Sequence, residues 1–115
     1  MIDLASPQVR IALAQAKSTA MLGSPDDAIA MLTSRISTST EPLDQLVAMV
    51  AICEILHWDY RDTEALRVFD QQIAPMMGGF PEKIEIAVAY NRSDIMHSLL
   101  QSDDFYGVVD RATIT

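Results

Sequence analysis

An all-α fold follows from three observations on the sequence. Apolar residues recur at three- and four-residue spacing along most of the chain, the signature of one-sided helices. The 5 Pro and 4 Gly fall at intervals that punctuate helices, not in a linker-like run. Alternation of apolar and polar residues never extends over a strand's length; Ile84-Glu85-Ile86-Ala87-Val88 alternates briefly, but behind a Pro81 start that suits a helix. Short connections between such segments predict antiparallel hairpins, about five to seven helices in all.

The first helix opens on Ser6-Pro7, an N-cap followed by a proline where no helical N–H is needed. Val9, Ala12, Leu13, Ala16 and Ala20 form its apolar face, and Gly23 ends it. Ser24-Pro25 opens the second, with Asp26 and Asp27 favourably placed at the positive end of the helix dipole. Its stripe is Ala28, Ile29, Leu32 and Ile36. After the polar run Ser37 to Thr40, Thr40 is the expected cap of a third helix with Pro42 in its first turn. That helix is apolar nearly all round, from Leu43 to Leu56, and is therefore expected at the centre of the core. Asp59 is the expected cap of a fourth helix carrying Ala65, Leu66, Phe69 and Ile73, which Pro75 ends; Met76-Met77-Gly78-Gly79 reads as a loop. Pro81 opens a fifth helix, and Asn91 to Asp94 reads as a turn and a new cap before Ile95, Met96, Leu99 and Leu100.

The 115 residues fit one domain, 1–115, with 102–115 as a capping or interaction tail. Half the residues are hydrophobic, ample for a packed interior. The net charge of −8 repels phosphate backbones and anionic bilayers, so neither nucleic acid nor membrane is an expected partner. The apolar run from Leu46 to Leu56 is too short to span a bilayer, the first residues lack a basic leader pattern, and one cysteine allows no internal disulfide. A cytoplasmic setting is expected.

The hairpins repeat. Gly23-Ser24-Pro25-Asp26-Asp27-Ala28, followed by Leu32, resembles the second-helix start of a tetratricopeptide repeat. Trp58-Asp59-Tyr60-Arg61-Asp62-Thr63-Glu64-Ala65, followed by Phe69, resembles it again, and a third copy starts at Asn91. Ala28 and Ala65 are 65 − 28 = 37 residues apart, close to the family's period of about 34. The first-helix signature of the family is absent: Ala12, Gln15-Ala16 and Thr19 stand in its places. The resemblance, over roughly 9–100, implies stacked hairpins that bind peptides or helices of other proteins. In size and charge the chain also resembles small acidic tetratricopeptide-like chaperones of bacterial secretion systems.

Candidate chemistry is sparse. Cys53 and His57 share a helix face, with Asp59 near and His97 able to approach in space, yet a metal site needs three or four ligands. A Cys–His nucleophilic pair inside an apolar helix would lack an exposed thiolate and an oxyanion hole. Gly78-Gly79 lacks the spacing of a phosphate cradle, and no cofactor is expected. The candidate contact residues are instead large apolar and aromatic groups near turns: Trp58 and Tyr60, then Met76, Met77 and Phe80, then Phe105 and Tyr106 in the tail.

The expected function is a protein–protein interaction module, a small chaperone, adaptor or regulatory domain. Its partner is basic or amphipathic-helical, or a second copy of the chain. Two other classes compete: an acidic inhibitor imitating nucleic acid, which needs its carboxylates in a stripe, and a small helical enzyme, which needs a polar pocket at Cys53 and His57.

Overall fold

The computed structural model describes residues 5–100. Among them are five α-helices and no strand: α1 (Pro7–Met21), α2 (Pro25–Thr38), α3 (Pro42–Trp58), α4 (Asp62–Val68) and α5 (Glu82–Leu100). Between α4 and α5 the chain passes through a π-helical turn, Phe69–Ile73, and a 3-10 turn, Ala74–Gly79. No helix among the described residues is long and apolar enough to cross a membrane.

Successive helices pack against each other, and α3 additionally meets α1 and α5. That places α3 in the middle, as its composition demands. Leu46, Val47, Ala48, Met49, Val50, Ala51, Ile52, Cys53, Ile55 and Leu56 are all buried, because neighbours on several sides leave the helix no solvent face. The other helices contribute narrow stripes: Val9, Leu13 and Ala16 from α1, Ala28 and Leu32 from α2, Ala65 from α4, and Ile84, Val88 and Ile95 from α5. Ala28 and Ala65 have no exposed surface, as residues at close helix crossings should.

The helix starts follow local chemistry with three corrections. Ser6 caps α1, its hydroxyl accepting from the Val9 N–H at 3.4 Å. The third helix is preceded by Glu41 rather than Thr40, with no side-chain cap, and the fourth by Arg61 rather than Asp59, which instead closes α3. The expected turn at Asn91 to Asp94 does not exist; α5 runs through it unbroken, with the Asn91 side chain donating back to the Ala87 carbonyl at 3.3 Å. A polar residue that bonds its own preceding turn stays in a helix instead of ending it. The third hairpin expected there is therefore a single long helix.

Pro75 does not end α4 either. The α-helical ladder stops at Val68, and the wider π turn, with the Ala74 N–H donating to the Phe69 carbonyl, carries the chain to a 3-10 turn opened by Ala74-Pro75. Proline supplies no N–H for the ladder, so the chain changes its pitch before reaching it. Phe69 and Ile73 remain buried through the change.

Two buried carboxylates tie helix ends together. Asp44, in the first turn of α3, accepts from the Ser6 N–H at 3.1 Å and the Ser6 hydroxyl at 2.9 Å, joining the starts of α1 and α3. Asp62 pairs with His57 at 2.6 Å across the α3–α4 turn. Replacing Asp44 by Ala leaves two Ser6 donors without their partner and is expected to cost about 1–3 kcal/mol in urea unfolding. A change within about 0.5 kcal/mol would show that the staple contributes nothing.

Candidate functional site

The α1–α2 and α3–α4 turns lie side by side. Arg61 joins them. Its guanidinium reaches Asp26 at 2.6 Å, Asp59 at 3.6 Å and Glu64 at 2.9 Å, bridging the start of α2 to the start of α4. Hydrogen bonds to Glu64 and then Asp26 hold this group still more firmly in its charged form, and the Arg61 hydrogen bond holds the Glu64 carboxyl below the usual carboxylate range. Between the two turns lies a cleft of about 400 Å³, lined by Ala20, Met21, Gly23, Pro25, Ile55, Trp58 and Asp59.

Large apolar side chains of the two turns remain in solvent, and two of them, Met21 and Trp58, line the cleft. Met21 is 80% exposed, Leu22 85%, Trp58 48% and Tyr60 92%. Local backbone explains why. Gly23 takes a left-handed φ of 98°, which reverses the chain immediately after Met21 and Leu22 and leaves them beyond the packed stripe of α1. Trp58 ends α3 with its ring beneath the Lys17 ammonium, 5.9 Å from the ring centre, and Lys17 in turn pairs with Glu54 at 3.1 Å. Trp58 is thus positioned while nearly half its surface stays accessible.

Tyr60 is the outlier. Its φ of 60° makes it the one non-glycine residue with positive φ among the described residues. A left-handed conformation costs an L-residue roughly 1–2 kcal/mol, least for Asn or Asp. The aromatic ring recovers little by packing, since almost all of it faces water. Tyr60→Asn is therefore expected to raise stability by up to about 1 kcal/mol in thermal unfolding. A loss of more than about 0.5 kcal/mol would mean that the ring makes stabilising contacts after all.

The other sequence candidates fall elsewhere. Met76, Met77 and Phe80 do not form an exposed loop cluster; all three are half-buried, packed against the core from the 3-10 turn and its end. Phe105 and Tyr106, with the rest of the proposed tail, lie outside the described residues. Cys53 and His57 have separate partners. The Cys53 thiol meets the Ala65 carbonyl at 3.5 Å, and burial, with a smaller contribution from Glu54, pushes it up to about 12, so it carries no thiolate at neutral pH. His57 is engaged with Asp62. No group of three or more His, Cys, Asp or Glu among the described residues is placed to hold a metal ion.

Three members of the site were missed in the sequence. Met21 and Leu22 carried a signal, since they fall off the three–four stripe of α1 and directly precede a helix-ending glycine. Arg61 carried none: its partners Asp26 and Glu64 are 35 and 3 residues away, and only the fold shows that both reach it. Comparison with protein-family models, curated proteins and solved structures finds no match to this chain.

Proposed function

We propose that this chain is a protein–protein interaction module, a small chaperone, adaptor or regulatory domain, which docks its partner at the paired turns. The observation that carries the reading is Tyr60, a strained aromatic residue held almost wholly in solvent in the turn that follows Trp58, next in the chain to Asp59 of the cleft lining. Exposed apolar surface lowers the free protein's solubility and is covered on docking, and backbone strain of this kind is retained at functional sites. Trp and Tyr are also the residues that contribute most at interfaces.

The proposed architecture is tetratricopeptide-like, with α1–α2 and α3–α4 as two stacked hairpins and α5 as a closing helix. The matching burial of Ala28 and Ala65, and the adjacency of the two hairpin turns, support that reading. A cytoplasmic setting suits the one free, buried thiol. A net charge of −8 disfavours nucleic acid and anionic membranes as partners.

The test compares immobilised wild type, Trp58→Ala/Tyr60→Ala and the control Ile86→Ala/Tyr90→Ala against extract of the native host, with retained proteins identified by mass spectrometry. Ile86 and Tyr90 are exposed apolar residues of α5 and do not line the cleft. Wild type and control are expected to retain one partner that the Trp58/Tyr60 variant binds at least about 30-fold more weakly, corresponding to an interface hot spot. Unchanged retention by that variant would overturn the reading.

A further inference from the structure

The geometry points to a cationic, apolar-anchored peptide segment of another protein as the occupant of the paired-turn cleft; this rests on the docking reading above and adds the partner's chemistry to it. The cleft interior is lined mainly by hydrocarbon from Ala20, Met21, Pro25, Ile55 and Trp58, and its volume of about 400 Å³ admits one or two large side chains. The surroundings are acidic. Asp59 lines the cleft itself, and Asp26, Asp59 and Glu64 share the single guanidinium of Arg61. Arg67 also lies close enough to Glu64 to help hold it ionised, but with the exposed Asp27 beside Asp26 the four carboxylates outnumber the two cations and leave a local surplus of negative charge. Lys17, which stands over the Trp58 ring, is already paired with Glu54.

A partner that buried only apolar surface here would leave those carboxylates without matching charge. An acidic partner, including a second copy of this chain at −8, would be repelled. A segment presenting a large apolar side chain to the cleft, with Lys or Arg beside it, satisfies both features at once. The apolar anchor supplies the affinity, and the flanking cations supply faster association and orientation.

Trp58 is the only tryptophan of the chain and lines the cleft, so its fluorescence reports occupancy of this site directly. The probes are three synthetic 12-residue peptides of equal length, composed of Leu and Lys, of Leu and Glu, and of Ser and Lys. The Leu/Lys peptide is expected to give a saturable change at least about tenfold tighter than either of the others, and to weaken as salt rises. Asp27→Asn/Asp59→Asn is expected to weaken it about threefold or more, while Glu82→Gln/Glu85→Gln, which removes the same charge from the start of α5, leaves it unchanged. Circular dichroism confirms that both variants are folded. Equal binding of the Leu/Glu peptide overturns the charge preference, and equal binding of the Ser/Lys peptide overturns the apolar anchor. Equal weakening by the Glu82/Glu85 variant, or no response to Leu/Lys, also overturns the inference. A native partner retained through Trp58 and Tyr60, but with no preference among the peptides, leaves the docking reading standing and removes this inference alone.

Discussion

Leu46→Ala is expected to destabilise the protein by about 2–5 kcal/mol, while Ile11→Ala changes it by no more than about 0.5 kcal/mol. Leu46 has no exposed surface and sits in α3, the helix that meets all the others. Truncating it removes the transfer free energy of the lost methyl groups and leaves a cavity that neighbours on several sides are too constrained to fill. Ile11 is 60% exposed, on the solvent side of α1, so the same kind of truncation there removes little buried surface. Urea midpoints of the two variants, compared at a common slope, separate these cases. Similar losses at both positions would contradict the placement of α3 at the centre.

Joint replacement of Ala28 and Ala65 by Leu is expected to cost about 2–6 kcal/mol, roughly the sum of two over-packing penalties of about 1–3 kcal/mol each. Both alanines are completely buried, one in each hairpin. A Leu at either position has to push a helix outward or adopt a strained rotamer, since packed interiors hold no spare volume of that size. Domain stabilities of about 5–15 kcal/mol leave such a double variant close to unfolding. Two single variants within about 0.5 kcal/mol of wild type would show that these are not close crossings, and would remove the repeat-like equivalence of the two alanines.

Helix content was legible because caps, prolines and the three–four stripes are local signals. Ser6-Pro7, Gly23 and Ser24-Pro25 marked real boundaries, and the all-round apolar character of α3 was sufficient to predict its central position. The errors came where local chemistry had two outcomes. Asn91 to Asp94 offers polar groups that suit either a cap or a helix surface, and the helix runs on with Asn91 bonded back to Ala87 and Arg92 paired with Asp70. Pro75 signalled a break, but the widened turn before it could not be read from composition.

The candidate site was half legible. Trp58 and Tyr60 stood out as large aromatics at a hairpin turn, and their exposure follows from the fold. Met76, Met77 and Phe80 had the same composition signal but are half-buried against the core, because the direction in which a turn folds is a tertiary property. The Asp44–Ser6 and Arg61–Asp26 links join residues 38 and 35 positions apart and become visible only when the helices are assembled.

Site-specific photo-crosslinking in the native host tests the docking surface most directly. A benzophenone side chain is placed in turn at Leu22, at Tyr60 and at Tyr90, all exposed positions. The account predicts one shared adduct to another protein from positions 22 and 60, and none of that mass from position 90. Adducts from position 90 alone, or the same adduct from all three positions, would contradict it.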